Sequence, residues 1–197
     1  MKSAVTERRP GRPRSEQAEQ AIIEAALELF GERGVGGVCV EAVAARAGVG
    51  KATIYRRWSS KEELLIAALG SLKSPLPQPR GESVREDLTQ LLEAMVKDAG
   101  DPRYMRQFAM LHGEAEGYPR LLQRYRETVI EPRREVIRSV LRRGIAAGEL
   151  RADLEVEVAL LALTGAVMAR GKHDTAPPGP GFAARVVGEL LDGFGAR

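Results

Sequence analysis

What most restricts the folds open to this chain is VEAVAARAGVGKATIYRRW, Val40 to Trp58, in which glycine separates two short helical registers. In VEAVAARA (Val40–Ala47), Val43 and Ala47 fall four apart and therefore share a helix face. Gly48 closes that helix. From Lys51 to Trp58 the helical pattern resumes: Ile54 and Trp58 point inward together, leaving Thr53, Tyr55, Arg56 and Arg57 largely outside. Two helices joined by a turn of about three or four residues containing glycine describe a helix-turn-helix, whose second helix enters a DNA major groove. Ala44 is small where the two helices must approach closely. The outward face carries hydroxyl and guanidinium groups, the types that bind phosphate oxygens and guanine edges.

The same stretch contains GVGK, which invites comparison with a phosphate-cradling loop, G-x-x-x-x-G-K-[ST]. Ala45 and Ala52 occupy the outer Gly and Ser/Thr positions, and the preceding pattern is that of a helix and not a strand. Both facts disfavour a nucleotide site. Charge agrees with a nucleic-acid partner: residues 1–61 hold 11 Lys/Arg against 7 Asp/Glu, net +4, and the remainder hold 19 against 20, net −1. The positive excess thus lies in the first third, as on a polyanion-facing head with a near-neutral body.

With 5% aromatic residues and an abundance of Ala, Leu, Arg and Glu, the composition favours helices over strands, so the fold is expected to be all-α. The 44% hydrophobic content of 197 residues can supply a core. Met1 to Ser15, with TERRPGRPRS, lacks apolar periodicity and reads as a flexible basic arm. From Glu16 a helix begins, with Ala18, Ile22, Ala25, Ala26, Leu29 and Phe30 on its buried face, and Gly31 and Gly34 end it. Ser59 or Ser60 caps a further helix, KEELLIAALGSL, whose first turn carries Glu62 and Glu63. Lys73 to Ser83, with three prolines and a glycine, reads as a linker. Helices follow at Val84–Ala99, Pro102–Glu114, Pro119–Ala147 (kinked by Pro132), Leu154–Gly171 and Gly181–Phe194, with a surface loop at Asp174–Pro180. The lone Cys39 excludes an internal disulfide, and no leader or bilayer-length apolar run appears, so a cytoplasmic chain without a membrane partner is expected.

LFGERG followed by VEAVAARAGVGKATIYRRWSSKEELL resembles the TetR family of transcriptional regulators over about Ala18 to Leu69, through RAGV, K-x-T-I-Y and aromatic-x-x-K-E-x-L in order without gaps. The resemblance implies a three-helix DNA-binding head and a larger helical body that binds a ligand and dimerises. Residues 1–15 would be the arm, 16–72 the head and 84–197 the body. By position, Thr53, Tyr55 and Lys61 would contact phosphates; Lys51, Ala52, Arg56 and Arg57 would approach bases or phosphates; Val40 and Glu41 would start the helix that crosses the backbone. GRPR, with Arg12 and Arg14, resembles short inserts into narrow minor grooves, the alternative being a solubilising tail. Cys39 and Gly50 stand where the family usually has Ser, Thr or a similar cap.

Within the body, Tyr104, Met105, Phe108, Met110, Leu111 and Met168 are candidates to line a pocket, since methionine adapts to varied apolar ligands. The last two helices offer Leu160, Leu163, Val167, Val187, Leu190 and Leu191 for an isologous four-helix dimer interface. HGEAEG, His112 to Gly117, contains H-x-E, but the downstream Pro-Cys-x-x-Cys of zinc deaminases is missing. Two histidines and one cysteine assemble no nucleophile, base or metal set, so neither catalysis, cofactor nor metal is expected. The expectation is a ligand-responsive regulator, a repressor that binds a palindromic double-stranded operator as a homodimer and is released by a small-molecule effector of unknown identity. An enzyme in the body, or an architectural DNA-binding protein without ligand, are the rival readings.

Overall fold

The computed structural model describes residues 12–173 and 178–193, with Arg12–Arg14 and His173 described through their backbone alone. Every regular element among them is helical: α1 (Arg12–Gly37), α2 (Val40–Ala47), α3 (Lys51–Tyr55), α4 (Lys61–Ser71), α5 (Val84–Ala99), α6 (Pro102–Gly113), α7 (Pro119–Tyr125), a π-helical turn (Arg126–Ile130), α8 (Glu131–Ala146), α9 (Val156–His173) and α10 (Phe182–Asp192). The chain divides into two compact units, one through Ala68 and the other from Leu69.

Helix α1 begins at Arg12, which corrects the expected arm of residues 1–15. Pro13 explains the early start, because its missing N–H and fixed φ are harmless in a first turn. The rest of the arm, Met1 to Gly11, lies outside the described residues, as do the side chains of Arg12 and Arg14. The helix also passes through Gly31 and is broken only at Gly34, where φ is 66°.

In the first unit α2 packs against α1 and α3, and the buried side chains are Ile22, Ala26 and Phe30 from α1, Val43 and Ala44 from α2, Ile54 from α3, and Leu64 and Leu65 from α4. Arg46 of α2 grips Glu32 of α1 with two hydrogen bonds, 2.7 and 2.9 Å. Ser60 is the residue that caps α4, its Oγ accepting from the Glu63 amide at 3.2 Å, while the Glu63 carboxylate accepts from the Ser59 amide at 2.9 Å. This reciprocal arrangement satisfies otherwise orphaned donors at the helix start.

In the second unit α5 packs against α6, α8, α9 and α10. Leu88, Leu91 and Leu92 of α5, Val140 and Leu141 of α8, Leu160 and Val167 of α9, and Val187 of α10 form its core. Lys73–Ser83 is irregular, as its prolines require, yet it belongs to this unit and does not join two: Leu76 packs on the core, and the amides of Arg80 and Gly81 donate to Asp87 at 2.7 and 3.0 Å. Pro132 has no N–H to donate back along the helix, and the expected kink takes the form of the wider π-helical turn just before it.

Candidate nucleic-acid interface and body cavity

Helix α3 is short, and its polarity follows from where Ile54 and Trp58 go. Ile54 is fully buried and Trp58 nearly so, which turns Lys51, Ala52, Tyr55 and Arg56 to solvent and leaves Thr53 partly exposed. The helix ends at Tyr55, three residues earlier than its apolar spacing predicts; Arg56 and Arg57 form a turn whose amides still donate to Ala52 and Ile54. The turn before it rests on Gly48, whose φ of 66° lets its amide and that of Val49 reach the last carbonyls of α2. Neither Cys39 before α2 nor Gly50 before α3 supplies a side-chain cap, so the first amides of both helices are without a side-chain acceptor there.

The candidate DNA-contacting residues differ in how freely they are held. Lys51 Nζ lies 3.1 Å from Glu41 Oε1, and both side chains are mostly exposed. The Glu41 carboxyl is held below its usual range by its own backbone amide first and by Lys51 second. A pair this exposed is weak, so Lys51 can exchange Glu41 for a phosphate. Arg56 Nη2 donates to Thr53 Oγ1 at 3.1 Å and remains exposed. Arg57, by contrast, folds back on α1, donating to the Ser15 carbonyl and hydroxyl at 3.1 and 2.6 Å and to Thr53 O at 3.3 Å. Lys61 Nζ donates to Val35 O at 3.2 Å, tying α4 to the end of α1. Val40 is buried, so the start of α2 presents its backbone and Glu41 in place of the Val40 side chain.

The second unit contains a cavity of about 540 Å³. Tyr104, Phe108 and His112 reach it from α6 at four-residue intervals, and Glu157, Leu161, Thr164 and Met168 from α9 at three and four. Of the residues expected to line a pocket, Tyr104, Phe108 and Met168 do so. Met105 packs on the core, Leu111 is buried away from the cavity and Met110 does not line it, because they stand on other faces of α6. Sequence reasoning missed Lys73, Tyr125 and Arg133; nothing in the Pro-rich segment marks Lys73 as an interior residue. His112 stacks on Phe108 at 4.0 Å between ring centroids and bonds its carbonyl at 2.9 Å through Nδ1.

Burial pushes the Lys73 ammonium down to about 8, Arg133 acting in the same direction and Asp98 against it. Burial raises both neighbouring phenols, Tyr125 to about 12 and Tyr104 further still. Four residues of the expected dimer interface, Leu160, Leu163, Val167 and Val187, are buried within the single chain and cannot meet a partner. They form the core face of α9 and α10. The outward face of α9 instead exposes Val158 (64%) and Leu161 (53%), and Leu190 and Leu191 are partly buried beside Val158 in a groove of about 260 Å³. Among the described residues no helix is long and apolar enough to cross a membrane.

Two family models match the chain. Residues 22–68 match the model described as bacterial regulatory proteins, tetR family, and residues 78–190 match the tetracyclin repressor-like C-terminal domain. An uncharacterized HTH-type transcriptional regulator, YdeS of Bacillus subtilis, is 34% identical over 163 residues, 81% of each chain. The HTH-type transcriptional regulator SrpR of Pseudomonas putida is 24% identical over 155 residues, 78% of this chain and 73% of its own. A crystal structure of a TetR family transcription regulator superposes with a TM-score of 0.66 at 29% identity, covering 91% of this chain and all of the other.

Proposed function

The chain belongs to the TetR family of DNA-binding transcriptional regulators, and we propose that it acts in the cytoplasm as a homodimeric repressor that leaves its operator when a small molecule occupies the body cavity. Its relatives are named as regulators and not as enzymes. The observation that carries the reading is the split character of α3, with Ile54 buried beneath it and Lys51, Ala52, Tyr55 and Arg56 presented to solvent. A surface of this kind reads a major groove, with Arg56 suited to a guanine edge and Lys51, Thr53 and Tyr55 to phosphates. Arg57 and Lys61 act from behind, holding α3 and α4 on α1, and reach phosphates only by giving up those bonds.

Two such heads in a dimer would read half-sites about 34–36 Å apart on a palindromic operator. The pairing surface is the outward face of α9 around Val158 and Leu161, with Leu190 and Leu191 of α10. A ligand in the cavity favours the form with lower operator affinity, and a coupling of about 1–3 kcal/mol suffices for release.

Selection of bound duplexes from a random pool, followed by gel shift and sedimentation of the complex, tests this reading. A palindromic consensus bound by two chains is the expected result. Equal affinity for every duplex, or binding by a single chain, would overturn it.

A further inference from the structure

The body cavity carries an uncompensated charge as well as apolar walls. Its one lining carboxylate, Glu157, is engaged by Arg138. Asp98, behind the lining, is shared with Arg133: Arg133 Nη2 lies 3.5 Å from Asp98 Oδ2, and Arg133 Nη1 donates to the Ser74 carbonyl at 2.9 Å. Asp98 Oδ1 meanwhile accepts from the Ser74 amide at 2.7 Å. Asp98 is thus taken up by Arg133 and the Ser74 amide, and Lys73 has no carboxylate of its own, while Arg126 and Arg134 add further positive charge to the lining. Its ammonium is held by the Tyr104 hydroxyl, 2.7 Å away, and sits 4.6 Å from the centroid of that ring. A part-buried ammonium held by a phenol hydroxyl, without a counter-ion of its own, is an unfavourable arrangement that a bound anion relieves.

We propose that this cavity takes an apolar molecule bearing a single carboxylate, seated against the Lys73 ammonium and the Tyr104 hydroxyl, with Arg133 adding its charge. The inference rests on the reading of the cavity as the effector site. The cavity is lined by Lys73, Arg126, Arg133 and Arg134 against the single carboxylate Glu157, and this positive lining matches an anionic group. Tyr104 accepts from Lys73 and keeps its own proton to donate, since burial holds the phenol protonated. The apolar remainder of the ligand meets Met95, Phe108, Leu122, Ile137 and Met168. A cavity of about 540 Å³ lies within the range of small-molecule sites.

The titratable and charged groups around Lys73 are Tyr104 from α6, Arg133 from α8, Asp98 from α5 and Tyr125 from α7, and the cavity wall adds His112 of α6, Arg126 of the π-helical turn, Arg134 of α8 and Glu157 of α9. Both phenols are pushed to higher pH by burial, so a loss of affinity as pH rises past about 8 reports the ammonium. The sign is fixed: the anion needs Lys73 charged, and binding weakens as that charge is lost.

Calorimetry of the full chain with octanoate, octan-1-ol and octylammonium, and with 4-phenylbutyrate and 4-phenylbutan-1-ol, tests the proposal and separates aliphatic from aromatic sources. Each carboxylate should bind about ten- to hundredfold more tightly than its matched alcohol, and octylammonium least. The preference should fade above pH 8. It should vanish in Lys73→Met and return in Lys73→Arg. Should Lys73→Met fail to fold, the pH profile and the acid-to-alcohol ratio of the unaltered chain still decide. Equal binding of acids and alcohols overturns the carboxylate while keeping the cavity as a binding site. Absence of binding by every probe overturns the proposed ligand class. Preferential acid binding that leaves operator retention in a gel shift unchanged upholds this inference and sinks the effector-release reading.

Discussion

Arg56 and Arg57 are adjacent in sequence, yet their side chains have different work. Arg56 is exposed with one light tether to Thr53, so Arg56→Ala is expected to weaken operator binding by about 1–3 kcal/mol if it reads a guanine, with little change in folding. Arg57 joins α3 to α1 through Ser15, so Arg57→Ala should lower head stability by about 1 kcal/mol. Gel shifts measure the first effect. Urea titration followed by the fluorescence of Trp58, the chain's one tryptophan and buried beside Ile54, measures the second. If Arg56→Ala leaves operator affinity intact, its assignment as a base reader fails. The inward pair Ile54 and Trp58 was legible from its spacing, but the return of Arg57 to Ser15 was not, because a contact 42 residues away leaves no local pattern. Asp87 makes a second residue-scale case. Burial pushes its carboxyl up, but the amides of Arg80 and Gly81 and the Arg143 guanidinium outweigh burial and hold it below its ordinary value. Its contribution to body stability is therefore present above the unfolded value of about 3.9 and lost as pH falls through the lower folded value. Thermal melts from pH 6 to 2 should show Asp87→Asn flattening that acid limb; an unchanged limb would remove Asp87 as its source.

At the scale of elements, the turn between α2 and α3 depends on one left-handed residue. Gly48 has open space around its Cβ position but a φ of 66°, so Gly48→Ala meets backbone strain and not a clash. It should destabilise the head by about 1–2 kcal/mol, and Gly48→Asn by less, because asparagine tolerates that region. Circular dichroism melts of the two variants against the parent give the order; equal stability of all three would show that the turn does not need its glycine. Most helices were legible because caps and breakers sit at their ends: Ser83 and Asp101 accept from the amides of Glu86 and Arg103, and α5 spans the very residues its apolar spacing marks. The misplacements have local causes. In sequence Pro13 belongs to an arm-like stretch although it opens a helix, and three prolines mark Lys73–Ser83 as irregular without revealing that it docks on the body. The latter error hid Lys73 from the cavity.

For the molecule as a whole, the proposed homodimer requires a surface that two chains can share. From Val158 to Met168 helix α9 has only Thr164 and Gly165 among apolar residues, and a stretch of that kind gives little sequence signal for which face meets the core. Sequence spacing therefore puts Leu160, Leu163 and Val167 on a dimer seam although they belong to the interior, while the cavity's Tyr104 and Phe108 stand out on the more amphipathic α6. With the core face assigned, Val158 and Leu161 remain as large apolar side chains on the outside, beside the groove of Leu190 and Leu191, and they are the pairing surface proposed above. Val158 is the better probe, since Leu161 also lines the cavity. Val158→Arg adds a charge at a position already 64% exposed, so the fold of one chain has no reason to suffer. In a dimer across this face the same substitution buries two guanidinium groups, one from each subunit, because a two-fold interface repeats every contact. Sedimentation at micromolar concentration should shift from dimer to monomer, and affinity for a full palindrome should fall toward that for a half-site, since the second head loses its tether. A dimeric Val158→Arg variant with unchanged operator affinity would move the interface elsewhere, while a monomer that still bound the whole palindrome tightly would contradict the two-headed reading itself.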